Sequence, residues 1–142
     1  MRSQITRSEA ETEAFAASLS KLLQPSDVVA LFGEMGSGKT AFVRGLAAGL
    51  GIRDRVSSPT FSLVHRYRGK ICLSHYDFDR MTDPYELEDS GFYLAIEQGD
   101  ILVCEWSERI ESFLPEKAVR VKITLQPDQS RLFEVSDPAN RV

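Results

Sequence analysis

The sequence predicts an α/β fold in which part of the sheet is antiparallel. Three observations lead there. Val28 to Phe32 and "ILVCEW" at 101–106 are nearly unbroken apolar runs, as strands buried on both faces are. Helical stretches lie between them. Near the end, "AVRVKITLQ" and "RLFEVSD" alternate apolar with polar, like strands of a half-exposed sheet edge. Buried strands interleaved with helices require a layered α/β arrangement.

Taken in order, "TRSEAETEAFAASLSKLL" reads as an opening helix. Ser8 and Glu11 have capping-box spacing, and Phe15, Leu19, Leu22 and Leu23 form an apolar stripe near period 3.6. Pro25-Ser26-Asp27 ends it, and the first apolar strand follows. A glycine-rich loop leads into "KTAFVRGLAAGL", a helix stopping around Gly49 and Gly51. Between Phe61 and Phe78, two β-rich runs flank Arg68-Gly69-Lys70, as in a hairpin. "TDPYELEDSG" has a helix start, with Asp83 as cap and Pro84 at the first helical position, and "FYLAIEQGD" continues it. The chain reads as one domain over residues 1–142, with 137–142 as a frayed tail or linker.

Composition narrows the function. The 142 residues carry a net charge of −4, which argues against a protein whose main work is gripping a phosphate backbone. No apolar run approaches the roughly 20 residues of a membrane helix, and "MRSQITRSEAETE" has no apolar signal core. The expectation is a cytoplasmic protein without a membrane partner. Cys72 and Cys104 stand alone and read as reduced core residues.

The chemistry begins at "GEMGSGKT". Residues 33–40 match G-x-x-x-x-G-K-[ST] in full, between a buried strand and a helix. In such a loop the backbone N–H groups turn toward phosphate oxygens, Lys39 supplies a point charge, and Thr40 offers a hydroxyl to Mg²⁺. The helix that follows directs its positive end at the bound anion. A second acidic group completes such a magnesium site, and Glu105 at the end of "ILVCEW" is the candidate. The guanine-reading N-K-x-D motif is absent, and no arginine cluster marks a nucleotide-kinase lid.

Three further stretches join the glycine loop and the "DPYELEDSGF" segment: "SSPTFSLV" at 57–64, "HYDFDR" at 75–80 and "ILVCEW". Their order and spacing resemble the TsaE family, the bacterial ATPase of tRNA threonylcarbamoyladenosine biosynthesis, over nearly the whole chain. The resemblance implies a P-loop NTPase-like α/β sandwich, a central mixed β-sheet flanked by helices, with ATP and Mg²⁺ bound. Gly36, Ser37, Gly38, Lys39, Thr40 and Ala41 would hold the phosphates, and Thr40 and Glu105 the metal. Ser58-Pro59-Thr60-Phe61 matches the family's switch-like loop, and the Thr60 hydroxyl either senses the γ-phosphate on closure of that loop or belongs to a turn after Pro59. The start of the first helix and Arg131 would line an adenine site. Asp79 stands where the family commonly has tyrosine.

On this reading Lys39, Thr60, Asp77 and Glu105 are the catalytic candidates, with Asp77 either orienting the attacking water or a magnesium-bound water, or tying down a loop. For His75, which shares a strand face with Asp77, a structural hydrogen bond and a chemical role both stand open. Trp106 packs near the nucleotide or in the core. Arg80 either stabilises transition-state charge or pairs with neighbouring acids. His65 reads as a surface residue, and "HRYRGK" at 65–70 as a solvated basic tip or a contact for a partner. The function implied is an ATPase that drives or resets the protein complex transferring threonylcarbamoyl to tRNA, with tRNA reached through that complex. A small-molecule kinase and a nucleotide-gated binding module with incidental hydrolysis are the alternatives.

Overall fold

The computed structural model describes residues 1–33, 38–56, 63–83 and 85–142. The first element is a strand, β1 (Arg2–Thr6), where the sequence reading assigns no element before the opening helix and starts that helix at Thr6. Helix α1 runs Glu9–Ser20, and the Ser8 hydroxyl accepts the Glu11 N–H at 3.1 Å, the forward half of a capping box. The Glu11 carboxylate reaches back one residue further than the usual box, to the Arg7 N–H.

β2 (Val28–Phe32) leads toward the glycine loop, and α2 spans Lys39–Gly49. The hairpin is present as β3 (Val64–Tyr67) and β4 (Leu73–Asp77). The segment read as one continuing helix is two, α3 (Tyr85–Asp89) and α4 (Phe92–Glu97). Gly91, at φ +81°, turns the chain between them. Asp83 caps α3 by accepting the Tyr85 N–H at 2.9 Å. β5 (Ile101–Glu105), a 3-10 helix at Ser107–Phe113, β6 (Val119–Leu125) and β7 (Arg131–Ser136) follow.

These strands form one seven-stranded mixed sheet in the order β1-β7-β6-β2-β5-β4-β3. β2 lies between β5 and β6, parallel to both, and β4 runs parallel to β5. The alternation of β6, expected to mark an edge, belongs to an interior strand. Its inward residues Val119, Val121 and Ile123 are buried, while Lys122 and Thr124 point to a sheet face left open. β1 takes the edge position instead, antiparallel to β7.

Alternation divides the core into two layers. On one face, Val29, Leu31, Leu73, Val103 and Phe133 pack under α1 and α2 through Phe15, Phe42 and Leu46. On the other, Val28, Tyr76, Leu102 and Cys104 meet Leu87, Phe92 and Ile110. α1 and α2 approach closely at Gly45, where a Cβ would collide with the Glu13 carbonyl. Burial pushes the Cys104 thiol well up, in keeping with an inert core residue.

The tail at 137–142, expected to fray, is tied down. Arg141 reaches Asp137 Oδ2 at 2.8 Å, Asp27 Oδ2 at 2.6 Å and the Leu22 carbonyl at 3.1 Å, and Val142 packs against the core. Among the described residues no helix is long and apolar enough to cross a membrane.

Candidate functional site

The carboxyl ends of parallel strands are where open α/β sheets place their ligands. Here β2, β4 and β5 end together. β4 and β5 pair in a register that sets Asp77 directly beside Glu105. Gly33 follows β2, and Gly38, just before α2, has φ +98°, the left-handed region that glycine tolerates. Lys39 and Thr40 are thereby the first residues of an 11-residue helix whose amino end opens on the two carboxylates.

These groups line a cleft of about 340 Å³ together with Ala41, Arg44, Asp79, Trp106, Glu9, Thr12 and Arg131. Lys39 is buried, and its Nζ donates to the Gly33 carbonyl at 3.0 Å while sitting 4.7 Å from the centroid of the Trp106 ring. Trp106 itself is left-handed, φ +58°, so the chain turns sharply just after Glu105. Glu108, on the following 3-10 helix, accepts the Gly33 N–H at 3.3 Å and ties that turn to the start of the loop.

Glu105 is buried, and one carboxylate oxygen, Oε2, meets His75 Nε2 at 2.5 Å. Burial raises the proton affinity of the Asp77 carboxyl, and the negative charges of Glu105 and Asp79 raise it further. The Asp79 N–H, donating at 3.0 Å, works in the opposite sense. On the far wall, Arg44 spans α1 and α2 through ion pairs to Glu9 at 3.1 Å and Glu13 at 2.7 Å. Arg131 comes in from β7, with its Nε buried and without a hydrogen-bond partner among the described residues.

The sequence reading names Lys39, Thr40, Ala41, Gly38, Asp77 and Glu105, and all six stand on this cleft, with Arg131 and the start of α1 opposite. Gly36, Ser37, Thr60 and the rest of Ser58-Pro59-Thr60-Phe61 lie outside the described residues. Arg80 is exposed and does not line the cleft. His65 is half-buried against Tyr67 rather than free on the surface. Within the expected basic tip, Arg66 stays exposed while its guanidinium pairs with buried Asp100. Arg44 and Glu108 were not foreseen. Only their contacts with α1 and with Gly33 mark them, and those depend on the tertiary fold.

The donor set suits a divalent cation. A threonine hydroxyl and a carboxylate are hard oxygen ligands of the kind magnesium takes, usually together with waters and substrate phosphates. Among the described residues no group of three or more His, Cys, Asp or Glu is disposed to hold a metal. An unpartnered buried Arg131 Nε, a lysine at a helix amino end and two carboxylates therefore fit a nucleotide phosphate with its metal.

A family model described as threonylcarbamoyl adenosine biosynthesis protein TsaE matches residues 6–133. A tRNA threonylcarbamoyladenosine biosynthesis protein TsaE from Treponema pallidum (strain Nichols) is 36% identical over 132 residues, covering 93% of this chain and 98% of its own. The protein of the same name from Bacillus subtilis (strain 168) is 36% identical over 132 residues, 92% of this chain and 82% of its own. Among solved structures, the crystal structure of Bacillus subtilis YdiB superposes with a TM-score of 0.81 at 30% identity, over 99% of this chain and 87% of that one.

Proposed function

The chain belongs to the TsaE family, and from that premise we propose that it is a magnesium-dependent ATPase of tRNA threonylcarbamoyladenosine biosynthesis. In this reading it hydrolyses ATP to drive or reset the partner complex that transfers threonylcarbamoyl to tRNA, and is slow in isolation. The observation that carries the proposal is the meeting of Lys39, Asp77 and Glu105 at one end of the parallel strands.

Phosphoryl transfer asks the protein for positioning and charge neutralisation more than for covalent help. Lys39 Nζ rests on the Gly33 carbonyl, and substrate phosphate oxygens would replace that neutral acceptor with charged ones. The Trp106 ring backs the ammonium and restricts its swing. The amino end of α2 adds its dipole to the same anion. Magnesium, held by Thr40, Glu105 and substrate oxygens, would neutralise charge building between the β- and γ-phosphates.

Asp77 then holds the attacking water. Its raised proton affinity makes it a better acceptor for the water's proton than an ordinary surface carboxylate. The test is phosphate release from ATP, with and without Mg²⁺, by the wild-type protein and by Lys39→Ala. The reading expects release that needs the metal and is lost in the variant. Release that persists in Lys39→Ala would place hydrolysis elsewhere.

A further inference from the structure

Taking Glu105 as a magnesium ligand from the reading above, we infer that His75 is a positioning residue for it. The Nε2–H of His75 holds one carboxylate oxygen, so that the other is presented to the cation.

The argument starts from where the imidazole stands. His75 is fully buried on β4, on the face it shares with Leu73, and its neighbour across the register on β5 is Val103. An apolar side chain would suit that layer. An imidazole there loses its hydration and must recover it from a partner. Its Nδ1 has none among the described residues. Among the described residues its single polar engagement is Nε2 with Glu105 Oε2. A carboxylate oxygen can only accept, so the proton lies on Nε2.

Glu105 gains what His75 gives up. Its side chain has one more rotatable bond than an aspartate, and it stands beside the Asp77 carboxyl, whose charge repels it. Left alone, the carboxylate would swing away from Asp77 and from the metal. The bond to His75 fixes one oxygen on the side of the sheet interior. Groups that orient a metal ligand in this way are worth 10–100-fold in metal affinity.

The inference separates metal binding from phosphate binding, and that is what the test reads. Mn²⁺ affinity in the presence of ADP is measured by electron paramagnetic resonance, and ADP affinity in excess EDTA by calorimetry. His75→Leu is expected to weaken Mn²⁺ binding about 10-fold or more. Metal-free ADP binding should stay within about twofold, because the phosphate contacts of α2 are untouched. His75→Gln retains an N–H donor and should fall between the two. Activity should follow the same pattern, with half-saturating Mg²⁺ rising more than maximal rate falls.

Unchanged Mn²⁺ affinity in His75→Leu would overturn the inference and leave the ATPase reading standing. So would a metal-free ADP affinity that falls by the same factor, since that is what general loosening of the site produces. Should His75→Leu not melt cooperatively, His75→Gln decides by the same two measurements. Wild-type protein that binds no Mn²⁺ with nucleotide would overturn the assignment of Glu105, and His75 with it.

Discussion

Gly38 and Arg131 occupy adjoining space so tightly that a Cβ on Gly38 would stand 2.8 Å from Arg131 Cδ and 2.9 Å from its Nε. The β7 arginine thus lies across the entrance to α2, although the two residues are far apart in sequence. Gly38 also has φ +98°. Gly38→Ala meets both obstacles, and the backbone strain alone amounts to about 1–3 kcal/mol. Calorimetry should show ATP binding weakened at least about 10-fold. Adding Arg131→Ala relieves the clash but not the φ, and it takes a guanidinium out of the cleft, so the double variant should not recover wild-type affinity. Full recovery would mean that the contact alone, and not the backbone, requires glycine.

Asp77 is expected to separate stability from function. Asp77→Asn keeps the acceptor for the Asp79 N–H but cannot take a proton from water. Phosphate release should fall roughly 100-fold, with ATP affinity little changed. Burial disfavours the ionised carboxyl in the folded state, so at neutral pH the amide should melt at the same temperature or higher. A parallel fall in ATP affinity and rate would instead make Asp77 a binding group.

How far the sequence discloses this site follows from the range of each interaction. β2, α2 and β5 are legible because each is a local pattern: two continuous apolar runs and a helix starting at Lys39. β1 is not legible. "RSQIT" leaves only Thr6 buried, and its strand form comes from pairing with β7 at the far end of the chain. β6 alternates because the helices leave one of its faces open, which imitates an edge. The contact between His75 and Glu105 depends on the β4–β5 register, and the anchoring of the tail depends on Asp27. Neither the register nor that anchor leaves a local mark in the sequence.

The Arg66–Asp100 pair sets an acid limit on stability. Buried Asp100 accepts from Arg66 Nε at 2.8 Å and Nη2 at 3.0 Å, and from the Ser74 hydroxyl at 2.9 Å. Hydrogen bonds from Arg66 hold its carboxyl below the usual range, with Ser74 adding to the effect. The unfolded chain therefore takes up this proton first, near the ordinary aspartate value of about 4. The stabilisation is complete above that pH and is lost as pH falls through the lower folded-state value. Asp100→Asn should cost about 1–3 kcal/mol at pH 7 in urea denaturation. The gap to wild type should narrow as the pH drops below about 4. A gap independent of pH would show that the charge on Asp100 contributes nothing.

Arg141 carries a purely structural prediction. It joins Asp137 and Asp27 and caps the Leu22 carbonyl, and it is not among the residues that line the cleft. Arg141→Ala leaves the buried Asp137 carboxylate without its guanidinium, at an expected cost of about 1–3 kcal/mol in thermal or urea denaturation. ATP affinity should not change. A loss of affinity at unchanged stability would mean that the tail communicates with the cleft.

The most direct test of the central claim is repeated tRNA modification by the threonylcarbamoyl-transferring complex. Threonylcarbamoyladenosine formed per complex is counted with ATP and Mg²⁺ present, without this chain, with it, and with its Lys39→Ala variant. The account predicts many rounds with the wild-type chain, and no more with the variant than without the chain. Equal numbers of rounds in all three would contradict it, since ATP hydrolysis at this cleft would then do nothing for the modification.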